Sequence, residues 1–447
     1  MIKINCLLAA FLISIFSVNA QKNWTLKECI EYAVENNIDI KKQIIAKENQ
    51  EIQLNTAKMS RLPNLNAGVG QNFGFGRSAD RDGVTKDNSS SSSSFNLSTG
   101  VPIFTGFRIP NEIKYQKFEL AAAIEDLNKA KEDLSLNITS YFLQTMLYKE
   151  LLVIAQEQVK LSKEQVKQTE ALVNAGKSAL SELADMQSQL AKDELSLTES
   201  SNNVKISLLT LSQLLNLDSE SGFDIEMPDL NQLYLSNIND LESPMAVFEK
   251  SVENRSSIKS AQFKLNGSQH SLKIARAGYY PTLNMNAGYS NNYFYNYNLE
   301  EGYKNSSFSN QIKNNGSEYI GLSLSIPLFN RFSTRNQVRQ TQLNIENMKL
   351  SLLNAKQNLY KEIQQAYTSA VASGDKYKSA QKAVAAAKIA FGYESEKFAN
   401  GRSTPFDLDN VQTRYNRALS EEAQAKYDYV FRVKILDFYN GKPLFNE

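Results

Sequence analysis

The chain is poor in the residues from which chemical centres are built. It has one histidine, His270, and two cysteines, Cys6 and Cys29. That leaves little material for a metal site or a disulfide framework, and no cofactor is expected. Neither sign of charge dominates, with 49 basic against 48 acidic residues. A nucleic-acid binder would show a basic excess. The repeated runs of ~20 apolar residues that a polytopic helical membrane protein needs are missing. No glycine-rich phosphate loop or nucleophile elbow occurs. His270 lies in the helical stretch LNGSQHSLKIA with no second histidine to join it. It reads as a surface or interface residue, and no enzymatic activity is expected. Nineteen glycines and nine prolines in 447 residues are few, which favours long uninterrupted helices.

What is present begins with an address. Residues 1–20, MIKINCLLAAFLISIFSVNA, carry Lys3, an apolar run from about Cys6 to Phe16, and small residues at Val18 and Ala20. This is the pattern of a cleavable secretory signal, and the run is too short to anchor in a bilayer. A buried N-terminal helix is the alternative. Cleavage after Ala20 would leave a neutral mature chain starting at Gln21. Cys6 stands near the front of the apolar run, a poor place for lipid attachment. Cys29 is then alone and expected to be a buried small hydrophobe.

The mature chain repeats itself. AVEN at 33–36 matches SVEN at 251–254, and AKMSRLP at 57–63 matches ARAGYYP at 275–281, both offset by 218. VPIF at 101–104 matches IPLF at 326–329, and NAGKS at 174–178 matches ANGRS at 399–403, both offset by 225. Two copies, 21–240 and 241–447, therefore differ by one insertion of 7 residues between 281 and 326. The insertion stretch YNYNLEEGYKNSSFSNQIKNNGS and its counterpart, RSADRDGVTKDNSSSSSS at 77–94, read as solvated loops.

No proline interrupts 111–227 or 328–404. Ile113, Leu120, Leu127, Leu134, Tyr141, Tyr148 and Ala155 recur every seven residues. The positions 225 further on begin Val338, Ile345, Leu352, Leu359 and Ala366, in the same register. Leu183, Leu190, Leu197, Val204 and Leu211 form a third series. Such a period makes supercoiled helices, and one running from about 111 to 173 would reach about 95 Å. Gly176 and Gly401 mark the turns of two helical hairpins, since glycine accepts conformations closed to other residues.

Four shorter segments switch to a period of two, at about 63–76, 95–104, 282–295 and 319–329. Leu65, Ala67, Val69, Phe73 and Phe75 alternate with Asn64, Asn66, Gly68, Gly70, Asn72 and Gly74. Ile320, Leu322, Leu324, Ile326 and Leu328 alternate with Gly321, Ser323 and Ser325. This is the signature of transmembrane β-strands, with Tyr and Phe near their ends. Half-buried strands of a water-soluble sheet are the alternative. Lipid tolerates only a closed barrel, and four strands are too few to close one. Cyclic oligomerisation would supply the remainder.

In order, duplication and spacing these segments resemble the TolC-like outer-membrane efflux channels. The likeness spans the mature chain, from TLKECIEYAVENN through the junctions VPIFTGFR and IPLFNRFS to the tips GKSALSEL and GRSTPFDL. The resemblance implies a mainly α chain with membrane β: coiled-coil hairpins forming a periplasmic tunnel, and four strands per chain in a twelve-stranded barrel. It implies a homotrimer in outer-membrane lipid, docked to a periplasmic adaptor protein and an inner-membrane pump. Its function would be that of a passive export duct in efflux or type I secretion. Gly176, Ser178, Leu180, Ser181, Gly401, Ser403 and Pro405 would meet the adaptor. Glu182 and Asp407 match the acidic constrictions of family members. A further acidic position is Asn410 here, with Asp409 beside it, and a tip tyrosine is replaced by Phe398, which cannot donate a hydrogen bond. Helix capping is the plainer reading of the tip residues, and for Asp407 a favourable place at a helix start. A trimeric adhesin would gather its strands at the C-terminus, whereas this chain ends in FYNGKPLFNE. A periplasmic coiled-coil scaffold without a pore is the other alternative.

Overall fold

Each proline-free stretch opens with one unbroken helix. The computed structural model describes residues 23–79, 82–217, 222–228, 241–299 and 302–444; the address segment and Cys6 lie outside the described residues. In chain order the elements are β1 (Asn23–Trp24), α1 (Leu26–Asn36), α2 (Ile38–Met59), β2 (Asn64–Ala79), β3 (Thr85–Phe104), α3 (Arg108–Asn174) and α4 (Leu180–Leu215). There follow β4 (Asp224–Ile225), α5 (Pro244–Asn254), α6 (Ser256–Ala277), β5 (Thr282–Asn296), α7 (Phe308–Asn314), β6 (Ser317–Ser325), α8 (Ser333–Ala399) and α9 (Pro405–Tyr439). The long elements of the two copies match in pairs. α1 and α5 have 11 residues each, α2 and α6 have 22, and α3 and α8 have 67. Sixty-seven residues extend about 100 Å along a helix axis.

The long helices end alike. Gly176 and Gly401 take φ of 71° and 70°, so their amides turn back onto Val173 and Phe398. The next amides, Lys177 and Arg402, reach Leu172 and Lys397 at 2.9 and 2.8 Å, closing a Schellman motif at each. Asn216 and Gly441, again 225 apart, do the same at the ends of α4 and α9, with φ of 61° and 78°.

The chain divides into two compact units, each drawing on both sequence copies. The first combines Met1–Ile45, Glu125–Lys259 and Asn354–Glu447. Its core packs Cys29, Ile30 and Ile40 against Ile138, Phe142 and Met146 of α3, Leu211 and Leu215 of α4, and Val430 of α9. Cys29 is fully buried there. β1 and β4 pair in parallel, Trp24 opposite Ile225, and Trp24 meets the rings of Tyr32 and Phe223. Much of the heptad stripe is buried, including Leu134, Ala155, Leu359 and Ala366, whereas Tyr141 is exposed.

The second unit combines Ala46–Ile124 and Ser260–Leu353. Leu54 and Ala57 of α2 pack on Ile109 and Ile113 of α3. Its sheet has the order β2-β3-β5-β6, antiparallel throughout. Three sequence expectations need correction here. The tract 77–94 is not a loop: β2 continues to Ala79 and β3 starts at Thr85, so the serines of 89–94 stand in the ladder. Backbone pairing does not depend on side-chain polarity, so a run of serines keeps its ladder hydrogen bonds without any alternation, while Phe73 and Phe75 of β2 and Tyr293 and Tyr295 of β5 supply the apolar side chains of the same rows. The insertion also carries structure, since α7 forms behind the N-cap Ser307. β6 stops at Ser325, leaving Ile326 and Leu328 beyond the strand.

The insertion covers a bare edge. β6 pairs with β5 only as far as Ser317 opposite Ser290, so the outer edge of β5 from 292 to 296 lacks a strand. Side-chain amides take its place. Asn315 donates to the Asn292 carbonyl at 2.8 Å. Gln311 bonds both the amide and the carbonyl of Phe294, at 2.9 and 2.8 Å. Asn305 does the same to Asn296, at 2.9 and 2.8 Å. An uncovered edge would template pairing with another chain.

Candidate functional site

The sheet presents two unlike faces. One carries Leu65, Val69, Phe73 and Phe75 of β2, Leu97 of β3, Tyr289 of β5, and Ile320, Leu322 and Leu324 of β6. These side chains stand in solvent in the single chain, with Val69 77% and Phe75 79% exposed. A water-soluble sheet buries such a face, so this one calls for an apolar partner surface. The opposite face carries Asn64, Asn66 and Asn72 between glycines on β2. On β3 it carries serines and asparagines, from Asn88 to Ser98, and on β5 Asn286, Ser290 and Asn292. Its aromatic residues are Phe294 and Tyr319, and the Tyr319 ring lies over Gly288, where a Cβ would stand 2.6 Å from it. β2 and β6 are the sheet's two edge strands.

The hairpin tips belong to the first unit. At the first, Leu180 and Ser181 are exposed, and Glu182 accepts a hydrogen bond from the Ser178 hydroxyl. At the second, Thr404 caps α9: its hydroxyl accepts from the Asp407 amide at 3.2 Å and donates to the Asp407 carboxylate at 2.6 Å. Ser403 donates to Glu394, and this bond, then Lys397, holds the Glu394 carboxyl below the usual carboxylate range. Pro405 and Leu408 are buried, and so is Phe398, only 6% exposed. The capping reading therefore holds at Asp407. Asp407 and Asn410 line an open cleft of about 700 Å³ with Glu394, Lys397, Arg402 and Arg414. Asp409 belongs elsewhere, against Asp193 and Lys192 of α4. Phe406, 73% exposed, was missed by the sequence reading. Its equivalent 225 positions earlier is Ser181, so comparing the copies gave no signal; an aromatic following a helix-start proline was the available one.

Behind the tips α3, α4 and α9 meet through polar side chains. Asp193, 8% exposed, accepts from Ser162 at 2.5 Å, Gln189 at 3.1 Å and Gln158 at 3.2 Å. Gln165 donates to Gln412 at 2.5 Å, and Asn416 donates to Gln158. Burial, and then the Asp193 carboxylate, push the Asp409 carboxyl above the usual range, with Lys192 opposing. Such a seam specifies register more than it adds stability. In the second unit His270 stacks on Phe118 with ring centres 5.6 Å apart, and its Nδ1 lies 3.1 Å from Asn111 Oδ1. That is a packing role.

Known proteins place this geometry. A family model described as outer membrane efflux protein matches residues 29–217 and 247–441. The chain is similar to the outer membrane protein TolC of Escherichia coli (strain K12), 23% identical over 385 residues, which cover 85% of this chain and 74% of that one. It is also similar to the proteases secretion protein PrtF of Dickeya chrysanthemi, 18% identical over 303 residues, 67% of this chain and 62% of that one. Among solved structures, CusC shares the fold with a TM-score of 0.77 at 16% identity, over 96% of each chain.

Proposed function

The chain belongs to the outer membrane efflux protein family, and we propose that three copies close the four-stranded sheet into a twelve-stranded barrel. The protein is an outer-membrane channel for efflux or type I secretion, with its helices in the periplasm. One observation carries closure by further copies: the sheet has an exposed apolar face, a polar face whose first charge is Lys86 at its far end, and two edge strands; the number three comes from the family resemblance. Lipid would cover the first face and water the second. β6 of each copy would pair with β2 of the next, which closes the ring over the nine residues of β6.

At the tips, Leu180, Ser181 and Ser178 of one hairpin and Ser403 of the other would contact a periplasmic adaptor, with an inner-membrane pump supplying the energy; Pro405, expected there from the sequence, is buried and would start α9 beneath that surface. Exposed Phe406 joins that surface. Glu182, Asp407 and Asn410 would narrow the entrance, and Asp409 and Phe398 would act from behind it by holding the helices together. Gly176 and Gly401 set both turns. In detergent, the purified protein should have the mass of three chains, and in a planar bilayer it should open discrete ion-conducting steps. A monomer without conductance would return the pore-free scaffold to favour. Gly176→Val and Gly401→Val should each abolish cross-linking to the adaptor and reduce export, because a β-branched residue does not tolerate the left-handed turn.

A further inference from the structure

The polar face of the sheet is more uniform than a water-filled wall requires. Its side chains on β2, β3, β5 and β6 are almost entirely asparagine, serine and glycine. From Asn64 to Gly76, and along the partnered rows of the other three strands, no carboxylate, ammonium or guanidinium stands on it. The first charge on that face is Lys86, opposite Ser78 at the far end of the ladder. The nearest ion pair, Arg77 with Asp87 at 3.2 Å, lies on the other face. At Gly68 and Gly321 nothing lies within 4 Å of where a Cβ would be, so the backbone there meets the open face directly.

Closure by three copies would triple every charge on this wall. With lipid behind a wall one strand thick, the field of such a ring would be concentrated in the lumen, and rings of charged side chains are how pores select ions. We propose that the barrel segment is a neutral, hydrogen-bonding exit wall that does not discriminate cargo by charge. Amide and hydroxyl groups offer donors and acceptors equally, so anions, cations and neutral polar solutes pass it alike. Charge discrimination is then confined to the helical part of the duct. This inference rests on the barrel reading above.

The test places a cysteine on the wall, in Asn286→Cys and, separately, Ser94→Cys. Each trimer, in native membranes, is labelled with a cationic and an anionic methanethiosulfonate. Buried Cys29 supplies the background, read from the wild-type chain. The cation-to-anion ratio of labelling rates is followed from about 0.15 M to about 0.01 M salt, where screening lengths grow from about 8 to about 30 Å. Ser94 faces Asn292 across the β3–β5 ladder, so Ser94→Cys with Asn292→Asp calibrates the response to an introduced carboxylate. A neutral wall gives ratios independent of salt at both positions, while the calibrating variant's ratio rises as salt falls. A ratio at Asn286→Cys or Ser94→Cys that moves with salt as the calibrating variant's does overturns the neutral wall. Cysteines that neither reagent reaches overturn the barrel reading itself.

Discussion

Gly106 and Asp409 illustrate opposite kinds of legibility. Gly106 stands at φ 62° between β3 and α3, and a Cβ there would lie 2.8 Å from the Ala277 carbonyl and from Tyr280 Cβ. Its equivalent 225 positions later is Arg331, which adopts φ 56° with a side chain. The same turn thus excludes a Cβ in one copy and accepts one in the other, and only the neighbours of Gly106 explain why. Gly106→Ala should cost about 1–3 kcal/mol from the strained backbone, with steric contact adding to it. A lowered melting temperature of the detergent-solubilised protein checks this. At Asp409 the sequence offered an acid beside a pore position, and the fold turned it toward Asp193. The folded state holds the Asp409 proton more tightly than an unfolded chain does. Its contribution is therefore most favourable below an unfolded pKa of about 3.9, and stability falls as pH rises through the higher folded value. Asp409→Asn should melt above the wild type at neutral pH and level with it in acid, as paired thermal scans would show.

Among elements, those with a strong period were readable and those set by neighbours were not. The proline gaps and heptads marked α3 and α8 because a helix that long must repeat its apolar contact every two turns. The Schellman turns at Gly176 and Gly401 were readable for a similarly local reason. The outer ends of β2 and β3 were not, because Arg77, Ser78 and Ala79 and the serines of 89–94 carry no alternation to read. α7 was missed too. Its role is to bring Gln311 to the edge of β5, a contact across 17 positions with no local signal. Gln311→Ala should leave the Phe294 amide without its partner. Hydrogen exchange at Phe294 should then speed up while the amides of the β5–β6 ladder, near Met285, stay protected.

For the whole molecule, the two faces of the sheet predict opposite responses to charge. Val69→Arg puts a cation on the apolar face, where near the bilayer midplane it costs about 2–4 kcal/mol per copy. The outer-membrane fraction of this variant should fall sharply. Asn66→Arg, on the other face of the same strand, should reach the membrane normally. Equal loss for both would mean that the faces are not divided between lipid and water.

The sequence by itself determined the duplication, the long helices, the tip turns and the alternation of four strands, because each follows from spacing along the chain and the stereochemistry of single residues. Tertiary structure alone decided that each folded unit draws on both sequence copies, that side-chain amides replace a missing strand, and that Asp407 and Asp409 face different neighbours. Those outcomes depend on groups far apart in sequence competing for the same space and the same hydrogen bonds, which no local pattern records.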